Sequence, residues 1–340
     1  MTILGDGGWG TALAIHLHRL GHRVTWWGAF PDYLKLLDRR RENAKFLPGI
    51  RIPRSIRITP DLLDAVSSAQ VVVLAIPSQY LRSVVRQLRD ITCDIRYQKA
   101  FRYLISKFTP IFVSVAKGIE PRTLKRMSQV VAEELGRVPL AVLSGPNIAS
   151  EITRGYPASS VVASSDRALA SRIQQLFMTD RLRLYTSTDV VGVELGGALK
   201  NPIAIASGIG DGLGFGANAK AALITRGVVE MARLGVAMGA REETFWGLSG
   251  LGDLVTTCLS GRNHWLGEQL GRGRSLRQVL ASTPMVIEGV ETARAAVRLG
   301  HRYRIELPVI EQVHAILFRR RSPEYALQML MLRAGKAESS

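Results

Sequence analysis

Cysteine is nearly absent. Cys93 and Cys258 are the two in 340 residues, too few for a disulfide framework or a cysteine-rich metal site. The six histidines, His16, His18, His22, His264, His301 and His314, show no metal-ligand spacing, and structural roles are expected for them. No apolar run approaches the roughly 18 residues of a membrane span. MTILGDGGWG has no basic leader with an apolar core, so no secretory signal is read and a reducing cytoplasm is expected. No GxSxG nucleophile elbow occurs. Acidic residues are scarce, 28 against 45 Lys and Arg, and the formal net charge is +17. Such a charge suits nucleic acid, an anionic membrane surface or phosphorylated small molecules. The basic residues are dispersed, however. Arg39-Arg40-Arg41 and Arg319-Arg320-Arg321 are the triplets, neither lies among aromatics, and both read as solvated faces. A phosphorylated small molecule is the expected partner, without nucleic acid or stable membrane insertion, and a homodimer is the assembly to test.

What is present begins with glycine. Met1–Leu4 is a short apolar start, and Gly5, Gly7 and Gly10 then match G-x-G-x-x-G. Thr11–Leu20 reads as a helix ended by Gly21, and Val24–Trp27 as a second strand. That order is the context the motif requires: one glycine for the tight turn, one for pyrophosphate approach, one for close packing of helix on strand. Four residues precede Gly5, so the first strand is either clipped or begins upstream. After the second strand, Trp27-Gly28-Ala29-Phe30 carries no acid before Asp32. An acid there binds the ribose of NAD; its absence leans the reading to NADP, with NAD open and Arg39–Arg41 as candidate partners of a 2′-phosphate.

Apolar runs at Val71–Ile76, Ile111–Ala116, Leu140–Leu143 and Ser160–Ala163 suit parallel strands covered on both faces. They stop at Pro77-Ser78, at Lys117-Gly118 and at Ser144-Gly145-Pro146-Asn147, where a doubly wound sheet presents its ligand loops. Lys117 is thus a candidate at the nucleotide crevice, or an ordinary strand-end lysine. Segment 89–108 reads as a basic, partly amphipathic surface helix packed on the sheet.

Beyond about residue 185, helical periodicity takes over, at 217–238, 292–299 and 308–319. Arg226 and Glu230, four apart, can pair. The fold class expected is an α/β Rossmann domain with a doubly wound, mostly parallel sheet over 1–185, followed by an all-α domain over 186–335 and a tail over 336–340. Within the helical part, Lys200 stands alone in an apolar and glycine-rich run, ELGGALKNP. A lone lysine there needs a reason. Gly196, one turn earlier, would clear room beside it, and Pro202 should break or kink the helix just past it. Gly208, Gly210, Gly212, Gly214 and Gly216 alternate, as in a flexible loop walling a reaction site. A lysine snorkelling from a buried helix, with glycines serving helix packing, fits the same spacing. Asp253 in an apolar glycine-rich stretch, the phosphate-gripping set Gly261-Arg262-Asn263, and Glu288 in VIEG complete the candidates.

These motifs, GDGGWGTALA, FLPG at 46–49, VAKGIE, LSGPNIASEI, ELGGALKN, DGLGFGANAKAALITRG, LSGLGDLVTTC, GRN and VIEG, span nearly the whole chain in order. Their set resembles the bacterial NAD(P)-dependent glycerol-3-phosphate dehydrogenases. The resemblance implies reversible reduction of dihydroxyacetone phosphate to sn-glycerol 3-phosphate, supplying glycerophospholipid synthesis. It implies Lys200 as the proton-transferring residue and Lys117 as a contact of cofactor and substrate. It implies substrate contacts at Gly145, Asn147, Asp253, Gly261, Arg262 and Asn263. Cofactor positions would be Gly5, Gly7, Gly8, Trp9, Gly10, Ala29, Ala149, Val286 and Glu288, with Arg262 reaching the cofactor too. Departures from the family are Ala29 in place of a basic residue, Gly261 in place of serine, a longer 89–108 segment, and Asp6 in place of alanine within the glycine motif. Two other readings share the residues: a basic nucleic-acid or anionic-membrane binder that keeps a vestigial nucleotide fold, and a helical-domain dehydrogenase acting on a sugar acid.

Overall fold

The computed structural model describes residues 1–93, 110–335 and 337. Ten strands are formed among them: β1 (Thr2–Leu4), β2 (Thr25–Trp27), β3 (Glu42–Asn43), β4 (Leu47–Arg51), β5 (Arg57–Thr59), β6 (Val71–Leu74), β7 (Ile111–Ser114), β8 (Leu140–Ser144), β9 (Ala158–Ala163) and β10 (Leu182–Ser187). Eight make one sheet in the order β10-β9-β8-β7-β6-β1-β2-β5, and β3 and β4 form a separate antiparallel pair. All neighbours in the large sheet run parallel except β8 and β9.

Side-chain alternation on these strands divides the core in two. Ile3, Val73 and Val113 pack with Leu13, Ala14 and Leu17 of the Gly8–Arg19 helix. Their neighbours Leu4, Val72, Leu74 and Phe112 pack with Leu81, Val85 and Val130 on the other face. Central strands buried on both faces have no polar side to show, hence the continuous apolar runs. The edge strand β10 alternates buried and exposed residues and was missing from the strands expected by sequence, as were β3, β4 and β5.

Past β10 the described chain is helical to Met331, and the fold is a Rossmann-like sheet domain followed by a helical domain. The central element of the second half is the Val190–Gly212 helix. It corrects the expected break at Pro202 and the expected glycine loop. The helix runs through Pro202 without ending, although proline removes one backbone donor and crowds the preceding turn. Every residue from 192 to 205 is buried, so packing on all sides holds the segment against that local cost. Gly208, Gly210 and Gly212 are likewise helical; the loop starts at Gly214, whose φ is +78°. The 208 and 212 positions meet another helix, Arg262–Gly271, backbone to backbone. A Cβ on Gly208 would stand 1.9 Å from the His264 carbonyl oxygen, and one on Gly212 2.4 Å from that of Glu268. Gly267 and Gly271 answer from the other side, 2.0 Å from the Ile205 oxygen and 2.4 Å from that of Ile209. The glycines are a helix crossing, not a flexible wall.

One buried cluster ties the halves together. Glu194, on the Val190–Gly212 helix, accepts the Ser128 amide at 2.7 Å and the Ser128 hydroxyl at 2.6 Å, and pairs with Arg126. The Glu230 carboxyl accepts the Val309 and Ile310 amides at 2.7 and 3.2 Å, capping the Pro308–Arg319 helix. The arginines spaced along the Ser78–Cys93 helix are also engaged, Arg82, Arg86 and Arg89 converging on Glu134. Most of the 89–108 segment lies outside the described residues. Among those described, no helix is long and apolar enough to cross a membrane, and no group of His, Cys, Asp and Glu could hold a metal ion.

Candidate active site

The glycine turn joins β1 to the Gly8–Arg19 helix, which starts earlier than the expected Thr11 and takes Gly8 and Gly10 into its first turn. Gly5 has φ +123°, and a Cβ there would lie 2.2 Å from the Ala75 oxygen. Gly7 has open space where its Cβ would be, and a Cβ on Gly10 would strike the Gly5 oxygen at 2.1 Å. Tight turn, open approach and close helix packing thus fall to the three glycines in order. Gly7 caps the helix without any side-chain hydrogen bond, so the N-terminal amides and helix dipole face the opening unscreened. Gly8 is pressed against Phe46 of the FLPG stretch, its Cβ position 2.7 Å from the Phe46 oxygen, and Trp9 packs on the core.

Three elements deliver a second feature, a chain of charges. Lys200 is 6% exposed on its helix. Its Nζ donates to Asp253 Oδ1 at 2.6 Å and to Thr257 Oγ1. Lys117, at the end of β7, donates from Nζ to the other oxygen, Asp253 Oδ2, at 2.6 Å, and to the Gly145 carbonyl at 2.8 Å. One buried carboxylate therefore serves two lysines from different domains. The π-turn at Leu248–Gly252 presents it, and Gly196 lets that turn approach: its Cβ would lie 2.5 Å from the Ser249 oxygen. Gly196 thus makes room for the carrier of Asp253, and not beside the ammonium as spacing suggested. Gly197 leaves room for the Ser144 hydroxyl, 2.5 Å from its Cβ position, with the Lys117 stem in ordinary contact beside it at 3.4 Å.

Burial lowers the Lys200 pKa to about 8; Asp253 opposes that shift, and the Lys117 charge adds to it. Such an ammonium can give and take a proton near neutral pH. Glu288 begins the Glu288–Tyr303 helix and accepts the Ser78 amide at 3.3 Å. Burial pushes its carboxyl pKa up, while Arg262, Lys117 and Lys200 all pull it down. The candidates at 117, 200, 253, 262 and 288 therefore share one electrostatic neighbourhood.

Gly261, φ +105°, takes a left-handed turn before the Arg262–Gly271 helix. Arg262 is exposed and donates to the Val286 carbonyl at 2.9 Å. Asn263 is buried; it donates to Asn201 Oδ1 and accepts the Gly289 amide, both at 2.9 Å. Gly145 has φ +150° with Ser160 against it, and Asn147 accepts the Ser160 hydroxyl. Ala149 opens the short Ala149–Thr153 helix. Ala29 lies exposed after β2. Sequence reasoning missed Thr257 and left Asn201 out of the site, although Asn201 adjoins the lysine. The Nδ2 atoms of Asn201 and Asn147 and the Ser144 hydroxyl are buried without partners. Such orphans are costly unless something else meets them. With the open glycine cradle they fit a bound dinucleotide and a polar substrate.

Fold and site together define a two-domain, dinucleotide-dependent oxidoreductase. Residues 1–170 match the family model for the N-terminus of NAD-dependent glycerol-3-phosphate dehydrogenase, and residues 189–328 match the model for its C-terminus. The chain belongs to that family. It is 44% identical over 342 residues to the glycerol-3-phosphate dehydrogenase [NAD(P)+] of Fusobacterium nucleatum, covering 99% of this chain and 98% of that one. With the enzyme of the same name from Pelotomaculum thermopropionicum it shares 46% identity, covering 98% and 93%. Among solved structures, the glycerol-3-phosphate dehydrogenase of Coxiella burnetii superposes with a TM-score of 0.90 at 34% identity, covering 98% of each chain.

Proposed function

We propose that this chain reversibly reduces dihydroxyacetone phosphate to sn-glycerol 3-phosphate with NAD(P)H. The observation that carries the reading is the Lys200–Asp253–Lys117 chain, where a buried ammonium poised near neutral pH is held by a carboxylate shared with a second lysine. The bound cofactor supplies or accepts the hydride. As the keto oxygen gains charge, protonated Lys200 stabilises it and passes its proton; in the reverse direction neutral Lys200 takes the proton from the alcohol. Asp253 keeps Lys200 charged until that transfer and holds Lys117 toward the Gly145 carbonyl. Arg262 and Asn263 grip the phosphate, so binding energy far from the reacting carbon positions it. Gly145 and Asn147 line the substrate side. The cofactor is met by Gly5, Gly7, Gly8, Trp9, Gly10, Ala29, Ala149, Val286 and Glu288, with Lys117 and Arg262 shared.

In this reading residues 1–185 bind the cofactor and 186–335 supply the substrate half. The enzyme works in the cytoplasm, as a homodimer, and feeds glycerophospholipid synthesis. Matches to the family over nearly the whole chain support the chemistry. Light scattering during gel filtration tests the dimer. The decisive assay follows cofactor absorbance while dihydroxyacetone phosphate is offered with NADH and with NADPH. Oxidation that depends on this substrate is expected; none with either cofactor would overturn the assignment.

A further inference from the structure

The cofactor end of the cleft holds one residue that the family pattern does not explain. Asp6 occupies the first variable position of the glycine motif. Its side chain lies against the backbone just past β2: a Cβ on Gly28 would stand 2.7 Å from Asp6 Oδ2 and 2.9 Å from Asp6 Cγ. Dinucleotide folds place the ribose-binding carboxylate at this spot, carried by β2 itself. Here the residues after β2, Gly28, Ala29 and Phe30, carry none, and the small Gly28 leaves the place to Asp6. Asp6 Oδ2 is buried and has no hydrogen-bond partner. Burial raises the Asp6 pKa against the pull of its backbone hydrogen bond and of Lys45.

The surroundings fix the backbone of this residue in position. Asn43 donates to the Asp6 carbonyl at 2.9 Å and to the Thr11 hydroxyl at 2.7 Å, and Tyr33 donates to Asn43 Oδ1 at 2.6 Å. Lys45 sits over the rings of Tyr33 and Phe46, 5.6 and 4.9 Å from their centroids. The arginine triplet does not gather here. Arg39 and Arg40 close the Pro31–Arg40 helix, at about 1.5 Å of rise per residue from its start after β2. Arg41 is spent on Asp38 and on the Ile56 carbonyl at 2.8 Å.

We propose that Asp6, from within the glycine turn, takes the place of the missing β2 acid, accepting the adenosine ribose hydroxyls and excluding a 2′-phosphate, so that the protein selects NAD(H) over NADP(H). The two hydroxyls supply donors to the Asp6 carboxylate, whereas a 2′-phosphate would bring its negative charge against that half-buried group. This rests on the dinucleotide reading of the cleft.

The test is equilibrium binding of NADH and NADPH, by cofactor fluorescence and by calorimetry without substrate, to the full-length protein, Asp6→Asn and Asp6→Ala. Wild type should bind NADH at least about tenfold tighter than NADPH, a gap of about 1.4 kcal/mol. Asp6→Asn, the same shape without the charge, should tighten NADPH and bring the ratio toward one. Asp6→Ala should weaken NADH and tighten NADPH. Equal affinities in wild type, a wild-type preference for NADPH, or a ratio unmoved by both substitutions overturns the assignment of Asp6 while the cofactor site stands. Failure of wild type to bind either cofactor overturns both.

Discussion

Replacing Asp253 by asparagine isolates what the shared carboxylate does. Its two oxygens each lie 2.6 Å from a lysine Nζ, on Lys200 and on Lys117. Two unit charges 4 Å apart attract by about 4 kcal/mol at the effective dielectric of a protein site, which is roughly three pKa units. The asparagine oxygen keeps a hydrogen bond and water enters the cleft, so a fall of about one to two units in the Lys200 pKa is expected. The sign is fixed by the surroundings: the counter-charge goes, while burial and the Lys117 charge, both lowering, remain. If Lys200 is the proton donor proposed above, its protonated form is the active one in ketone reduction, so kcat should fall above about pH 8 in wild type. In Asp253→Asn that descending limb should move to lower pH, reducing kcat at pH 7.5 by roughly four- to thirtyfold relative to its own plateau. In the oxidation direction the rising limb should shift the same way. Cofactor affinity, measured by fluorescence on the same preparation, should change little. A limb that stays near pH 8, or moves upward, refutes the role given to Asp253.

Three further outcomes follow from the geometry. Lys200→Ala should lower kcat by about 10²–10⁴-fold with NADH binding retained, because the proton donor is lost and the cradle is not; near-normal turnover would move the proton transfer to another residue. Gly208→Ala sets a helix-propensity gain of about 1 kcal/mol against a Cβ 1.9 Å from a backbone oxygen that cannot swing aside. The collision should win, with a net loss of about 1–3 kcal/mol in denaturant unfolding and a raised KM for the phosphorylated substrate; an unchanged midpoint would mean the crossing is loose. Glu230 concerns pH. Burial lifts its pKa to about 8, so between its unfolded value near 4.5 and pH 8 the native state keeps a proton that the unfolded state has released. Stability should therefore decline as pH rises through that window, by at most about 1.4 kcal/mol per unit, and Glu230→Gln should flatten the decline. Identical slopes for the two proteins would show that Glu230 ionises freely in the native state.

Features written in local sequence were legible from the residues. The glycine turn needs nothing beyond its own neighbours, and each glycine has the job its position assigns. The buried strands β6 and β7 announced themselves because both faces are apolar. The edge strands β5 and β10 did not, since a strand half exposed loses the continuous run. Lys200 stood out because lysine is rare in such company, yet the reason it can stay there was not visible. Asp253 lies 53 residues from it and 136 from Lys117, and no periodicity links such positions. Two local rules also misled. Proline and alternating glycine both argue against helix in isolation, and tertiary packing overrides them in the Val190–Gly212 helix: one is surrounded by buried contacts, and the other is where a second helix touches the backbone.

That contact between backbones has a consequence for what the enzyme accepts. The lysine and the Arg262-Asn263 turn ride on two helices whose main chains touch, with no side chains between them to compress or re-pack. The crossing then acts as a gauge block of fixed span between the proposed proton donor and the proposed phosphate grip. Substrates would be sorted by the distance from carbonyl to phosphate: a chain one carbon longer has to buckle to satisfy both ends, and one carbon shorter reaches only one of them. Discrimination of this kind needs no side chain to recognise the extra carbon.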